Sequence, residues 1–224
     1  LHAIIAAMIT LHYYPSNASF APHVLLRELG VPFELQLVDR AVAAHKTPAY
    51  LKLNPNGLIP VFVDDDLVLY ETAAILLHLA DSHPQAKLVP ALGTAERALF
   101  YKWLFWLSNT MQALMTPYFY PDRYVEAGNA DGARQVKAQA QKRLGDCLRQ
   151  LDEHVAAHGG PWLHGANYSA ADPLAFMLCR WTRGFVGSTP ARDYPHLGPY
   201  MRRMLERPAV QKAVEVEKLQ PPLI

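Results

Sequence analysis

Apolar and polar positions in the first third of the chain repeat with two periods, and the switches between them predict its elements. Residues 9–13 read as a strand and 19–29 as a helix. Gly30 and Pro32 stop that helix, as a glycine followed by a proline readily does. Residues 33–37 read as a second strand and 48–53 as a short helix. Strands over 61–63 and 67–70 flank the tight turn Asp64-Asp65-Asp66. The run Ala73-Ala74-Ile75-Leu76-Leu77 continues as a helix that His83-Pro84 ends. The order is βαβαββα, an α/β unit over residues 8–84.

After a linker over 85–93 that contains Pro90, helical spacing takes over, so an all-helical domain is expected over 94–224. Its longest helices are expected over 95–115 and 131–158, with shorter ones over 171–185, 194–206 and 209–218. Between Leu99 and Leu107 eight of nine residues are apolar or aromatic, which leaves that helix no wet face. A partner subunit in a homodimer is the expected cover, with the first domain as the alternative. Ser169-Ala170-Ala171-Asp172 has the spacing of a capping box ahead of an apolar run. Its expected role is structural, with a loss of about 1 kcal/mol on substitution.

Composition narrows the function. The 224 residues carry 21 basic and 20 acidic side chains, a formal net charge of +1, so nothing electrostatic favours nucleic acid or an anionic membrane. Residues 1–7 are apolar but lack a basic stretch and are too short to span a bilayer. They are expected to be a leader or remnant ahead of Met8, with a processed signal-peptide tail as the alternative. Two cysteines, Cys147 and Cys179, are too few for a disulfide framework and too far apart for a dithiol motif, so a cytoplasmic enzyme is expected. Cys147 falls on the stripe Val136, Ala140, Leu144, Cys147, Leu151, Val155, spaced for one buried helix face. His154 and His158 stand one helical turn apart without a third ligand in view, and no metal site is expected.

The chemistry concentrates in Asn54-Pro55-Asn56-Gly57-Leu58-Ile59-Pro60 and, eleven residues on, Glu71-Thr72. Asn-Pro and Asn-Gly break the preceding helix, and Ile59 is pushed into an extended conformation by the proline that follows it. An extended residue beside a turn offers its N–H and C=O to a ligand's own peptide backbone. Thr72 is expected to cap a helix whose N-terminus would take a carboxylate, and Glu71 would take an ammonium. A carboxylate and an ammonium on one carbon, followed by peptide backbone, describe the γ-glutamyl end of glutathione.

Four ordered motifs resemble the cytosolic glutathione S-transferases over nearly the whole chain from Met8. They are Tyr13-Tyr14-Pro15-Ser16-Asn17-Ala18-Ser19, His45-Lys46-Thr47-Pro48-Ala49-Tyr50-Leu51 with the turn after it, Glu71-Thr72, and the capping box. Segments around Tyr194-Pro195-His196-Leu197 and Arg207-Pro208 also look like that family's last helices. The resemblance, to bacterial-type members of theta-, zeta-, beta- and phi-like character, implies a thioredoxin-like first domain with Pro60 cis. It implies that His45 and Lys46 hold the glycyl carboxylate, that Ile59 pairs with the cysteinyl backbone, and that Glu71 and Thr72 clamp the γ-glutamyl head. Leu58 departs from the pattern, since glutamine or lysine often stands there.

A thiol with a pKa of about 8.5 is only a few per cent ionised at neutral pH, so a hydroxyl and a helix N-terminus must favour the thiolate. Lowering that pKa by ~2 units corresponds to about 2.7 kcal/mol. Ser16, Tyr13 and Ser19 compete for this role. Ser16 aligns with the active serine of theta- and zeta-like branches, Ser19 suits a helix cap and Tyr13 ends a strand, while Asn17 is a further donor. Ala18 stands where the beta class carries cysteine, against protein-thiol redox chemistry. The resemblance implies conjugation of glutathione, as co-substrate, to a small hydrophobic electrophile. That electrophile is expected near Trp106, Met111, Met115, Tyr118 and Tyr120. Glutathione-dependent isomerisation, dehalogenation or disulfide reduction, and a non-catalytic glutathione-binding stress protein, are the alternatives.

Overall fold

The computed structural model describes residues 8–224, so the leader expected over 1–7 lies outside the described residues. The chain forms two compact units. One runs up to Lys87 and takes back Arg207–Gln220; the other is Leu88–Glu206 with Pro221–Ile224. The chain thus crosses between the units at Lys87–Leu88 and returns at Glu206–Arg207.

In the first unit β1 (Ile9–Tyr13), α1 (Phe20–Leu29), β2 (Phe33–Leu37), α2 (Pro48–Leu53), β3 (Val61–Asp64), β4 (Leu67–Tyr70) and α3 (Thr72–Ser82) follow in the expected order. The sheet order is β2-β1-β3-β4, with β1 parallel to β2 and antiparallel to β3. Parallel pairing requires a crossover, which α1 supplies. Strand alternation separates two cores. Leu11 and Phe62 are paired across β1 and β3 and are fully buried, like Val24, Leu25, Ile75 and Leu76 of α1 and α3. Val61 instead clusters with Val38, Tyr50 and Ile59. Gly30 ends α1 in the left-handed conformation.

A last helix, α9 (Pro208–Val216), also belongs to this unit. It packs on α1, and the two are joined near both ends. Arg207 binds Glu28 at 2.6 Å, and Glu217 binds His23 at 2.9 Å.

The second unit is helical. The single helix expected over 95–115 is α4 (Ala95–Trp106), a π-helical segment Leu107–Gln112 and α5 (Ala113–Phe119). Then come α6 (Ala130–His158), α7 (Ala171–Trp181) and α8 (Leu197–Glu206). Phe100, Trp103, Leu104 and Leu107 are buried, while Leu99 and Phe105 stay 47% and 50% exposed. The apolar run thus retains an uncovered stripe. The stripe on α6 is buried from Ala140 through Val155 and includes Cys147, whose thiol burial pushes upward in pKa.

The capping box is more than a local cap. Asp172 is fully buried and accepts from the Leu163 and Ser169 N–H groups and from the Ser169 and Tyr200 hydroxyls. Burial pushes its carboxyl up to about 6 against the pull of these donors. Removing the acceptor orphans several buried donors at about 1–3 kcal/mol each, so the expected loss of about 1 kcal/mol for Asp172 is too small. Asp152 Oδ1 likewise accepts from the His196 and Leu197 N–H groups at 2.8 and 2.7 Å, satisfying the start of α8 from 44 residues away in sequence.

Candidate functional site

Strand register gathers the chemical segments at one end of the sheet. His12 pairs with Val61, and Val61 with Tyr70. The next residues, Tyr13, Pro60 and Glu71, therefore lie side by side where β1 and β4 end and β3 begins. The Val38 N–H donates to the Tyr13 carbonyl at 2.9 Å, so the segment leading to His45 and Lys46 leaves from the same end.

The turn ahead of Pro60 is built by Tyr50 and Asn54, two buried residues. The Tyr50 hydroxyl and the Asn54 amide both donate to the Leu58 carbonyl, at 2.8 and 2.9 Å. The Asn54 Oδ1 accepts from the Asn56 N–H at 3.0 Å. Sequence reasoning took Asn54 for a turn residue and placed Tyr50 in the motif ahead of it without assigning its hydroxyl a role. The peptide Ile59–Pro60 is cis, as the resemblance implied. Ile59 precedes the paired register of β3, while the Leu58 side chain points outward, 55% exposed. Lys46 Nζ reaches the Gly57 carbonyl at 3.3 Å, so the cation lies against this turn. His45 lies in the same short 3₁₀ turn as Lys46.

The helix after Glu71 starts one residue earlier than expected. Thr72 is its first helical residue, and Glu71 is the N-cap, whose carbonyl accepts the first helical bond from Ile75 at 3.0 Å. Thr72 is buried, Glu71 is exposed, and Glu71 adopts φ 72° and ψ 111°. A non-glycine residue held at positive φ costs of order 1–3 kcal/mol and clusters at functional sites. The outcome is an exposed carboxylate beside the N–H groups of a helix start, which carry partial positive charge.

The loop between β1 and α1 carries the candidate hydroxyls. Ser16 stands at φ 61°, half-buried, with its N–H donating to Glu217 Oε2 at 2.9 Å. Ser19 is fully buried and, among the described residues, caps α1 with no side-chain bond. Its hydroxyl instead accepts from the Tyr14 N–H and donates to the Tyr14 carbonyl, both at 3.2 Å, closing the loop. Tyr13 is half-buried with its ring 6.4 Å from His23, and burial, reinforced by Glu217, pushes its phenol upward in pKa. Asn17 Oδ1 accepts from the Ala18 N–H at 2.8 Å. No local sequence signal pointed to Glu217, because its partners lie 194 and 201 residues away.

The residues expected around an electrophile divide. Met111, Met115 and Tyr118 are at most 7% exposed and pack among the core residues of the second unit. Trp106 and Tyr120 are half-buried. Trp103, which packs on Trp106, also meets a histidine cluster in which the His154 ring is 4.4 Å from His158 and 6.0 Å from His164. Among the described residues no group of three or more His, Cys, Asp or Glu is arranged to hold a metal. No described helix is long and apolar enough to cross a membrane.

The family model for the glutathione S-transferase N-terminal domain matches residues 6–81, and that for the C-terminal domain matches residues 107–208. The glutathione S-transferase GstA of Escherichia coli O157:H7 is 32% identical over 93% of this chain and 98% of its own. A glutathione transferase homologue from Sulfitobacter, solved with bound glutathione, superposes with a TM-score of 0.84 at 29% identity, covering 96% of this chain and all of that one. A sphingomonad glutathione S-transferase complexed with glutathione gives 0.79 at 33% identity over 94% of this chain and all of that one. The chain belongs to the glutathione S-transferase family.

Proposed function

We propose that this glutathione transferase binds glutathione along the end of its sheet, ionises the thiol beside Ser16 and transfers the sulfur to a small hydrophobic electrophile. The observation that carries the reading is the convergence of the Ser16 loop, the Ile59–Pro60 turn and the Glu71–Thr72 helix start through the β1, β3 and β4 register. Glutathione bound to the Sulfitobacter and sphingomonad proteins supports it. Glu71 would take the ammonium and the start of α3 the carboxylate of the γ-glutamyl head. The Ile59 backbone would pair with the cysteinyl unit, and His45 and Lys46 would meet the glycyl carboxylate. Ser16, at positive φ between β1 and α1, is the hydroxyl assigned to the sulfur. Buried Ser19 holds the loop, and Tyr13 and Asn17 are secondary donors.

With Ala18 in the loop and both cysteines buried, the nucleophile is the thiol of glutathione itself. Its proton passes to solvent, and its sulfur then bonds to the electrophilic carbon, either by addition across a double bond whose other carbon takes a proton from solvent, or by displacement of a leaving group that departs with the bonding pair. Trp106 and Tyr120 are the remaining candidates for contact with that substrate. Exposed Leu99 and Phe105 on α4 support a homodimer, and the balanced charge and unpaired cysteines support a cytoplasmic, detoxifying enzyme. The decisive experiment is Ser16→Ala assayed by aryl-halide conjugation alongside calorimetry with glutathione. We expect kcat to fall by about a hundredfold while affinity changes little; an unchanged kcat removes Ser16 from the chemistry. Absence of glutathione binding to folded wild-type protein at millimolar concentration removes the whole reading.

A further inference from the structure

Beneath the Ser16 loop lies a chain of polar groups that the proposed chemistry leaves unused. Arg27 Nε donates to His23 Nε2 at 3.3 Å, and His23 Nδ1 lies 2.9 Å from Glu217 Oε1. The other oxygen of Glu217 accepts from the Ser16 N–H at 2.9 Å. Arginine Nε can only donate, so Nε2 of His23 accepts and its proton sits on Nδ1, facing the carboxylate. The backbone N–H of Ser16 also only donates, which assigns Glu217 as the acceptor at both of its oxygens. Every donor is thus assigned: Arg27 donates to His23, and His23 and the Ser16 N–H both donate to Glu217. The side chains of His23 and Glu217 are both fully buried, and the ring of Phe33 stands 5.8 Å from His23 and 4.8 Å from the Arg27 guanidinium.

Burying a carboxylate is costly even when it is hydrogen-bonded, since taking the ion out of water costs several kcal/mol. Fold stability would be served as well by an apolar contact at the end of α9. The position of the charge is what needs explaining, and it lies against the backbone of the residue assigned to the sulfur. Ser16 sits in the left-handed region at φ 61°, which a serine adopts at a cost, so something must hold it there.

We infer that Glu217 is a positioning residue that, held by His23, pins the Ser16 peptide and thereby turns the Ser16 hydroxyl, rather than its N–H, toward the glutathione sulfur. The inference rests on the assignment of Ser16 above. It makes a residue near the C-terminus part of the active-site apparatus without contact to substrate. The carboxylate acts through one hydrogen bond on a peptide already within its own unit.

The test compares Glu217→Leu, which removes both acceptors, with Glu217→Gln, which keeps an oxygen for the Ser16 N–H, and with Ser16→Ala in the same conjugation assay. Glu217→Leu is expected to lower kcat by about tenfold or more while leaving the KM for glutathione within about threefold, and Glu217→Gln to restore part of the loss, since its amide keeps an acceptor for the Ser16 N–H but sets its own NH2 against the Nδ1–H of His23. A purely structural role would lower thermal stability and leave kcat of the folded fraction unchanged. Should the Leu protein fail to fold, Glu217→Asp decides. It keeps the charge but withdraws it by one methylene from the Ser16 N–H, and is expected to lose kcat in the same direction. Wild-type kcat in folded Glu217→Leu or, failing that, in Glu217→Asp, or equal kcat in the Leu and Gln proteins, overturns the inference. If Ser16→Ala loses kcat while Glu217→Leu keeps it, only the positioning role falls. If Ser16→Ala keeps kcat, the Ser16 assignment falls and this inference falls with it.

Discussion

Arg207 clasps Glu28 through two parallel hydrogen bonds, Nε to Oε1 at 2.6 Å and Nη2 to Oε2 at 2.8 Å. Bidentate pairs of this kind are the stronger ion pairs, and this one sits just before α9 and at the end of α1, largely shielded from solvent. Arg207→Ala should lower unfolding free energy by about 1–2 kcal/mol after allowance for partial solvent screening. Urea melts of the single variants and of the double variant with Glu28→Gln should give a coupling energy; strict additivity would mean the clasp contributes nothing.

The Leu58 carbonyl takes two donors, so removing one should weaken the turn without collapsing it. Tyr50→Phe should lower stability by about 1 kcal/mol and weaken glutathione binding more than it lowers kcat, because the backbone beside Ile59 loses its fixed position. Titration calorimetry and steady-state kinetics separate the two effects. Unchanged affinity would show that Asn54 alone suffices.

Gly57 stands at φ 60°, and a Cβ there would come within 2.8 Å of Lys46 Nζ and 2.9 Å of the His45 carbonyl. Gly57→Ala should lose about 1 kcal/mol or more to backbone strain and displace the lysine from the turn. Glutathione affinity should fall in this variant. The loss should shrink when the ligand is a glutathione analogue lacking the glycyl carboxylate.

Two groups in the second unit give opposite pH dependences. Burial, with the neighbouring charges of His158 and Lys102, lowers His164 to about 4, against an ordinary 6.5. His154 is lowered to about 3, chiefly by burial, with further contributions from His158 and His164. The unfolded chain therefore binds more protons as pH falls below 6.5, and stability contributed by these neutral rings is lost on acidification. His164→Gln should flatten the fall in Tm between pH 6.5 and 4.

Asp172 works the other way. With its carboxyl raised from 3.8 to about 6, the folded state holds the extra proton between those values, so this residue's contribution weakens as pH rises from 4 to 6 and is constant above. Asp172→Asn should be less stable than the wild type at pH 7 and lack that term. The gap in Tm between the two proteins should therefore narrow as pH rises from 4 to 6; a gap that widens would contradict the raised pKa.

Much of the first unit was legible because its signals are local. Alternation located β1 and β2 to the residue, the turn Asp64-Asp65-Asp66 did the same for β4, and Gly30 and Pro48 marked helix limits that the structure keeps. The motif residues at the sheet end were legible too, since turn chemistry and helix starts are written within a few positions. What stayed hidden depends on partners distant in sequence. Ser19 resembles a cap but turns back to Tyr14, and Glu71 rather than Thr72 takes the cap because its backbone adopts positive φ. Burial of Met111, Met115 and Tyr118 was not legible either, since a side chain suited to a permissive pocket is equally suited to core. Glu217 carried no periodic or motif signal, and only the packing of α9 on α1 brings it to Ser16.

The return of α9 to the first unit makes that unit discontinuous in the gene. During synthesis its sheet and three helices emerge well before residues 207–220, with the whole helical segment translated in between. A fragment ending near Lys87 would therefore leave bare the flank of α1 and lack the carboxylate that the Ser16 loop leans on. The contact between the Ser16 N–H and Glu217 therefore forms only after the whole helical segment and residues 207–220 have been translated.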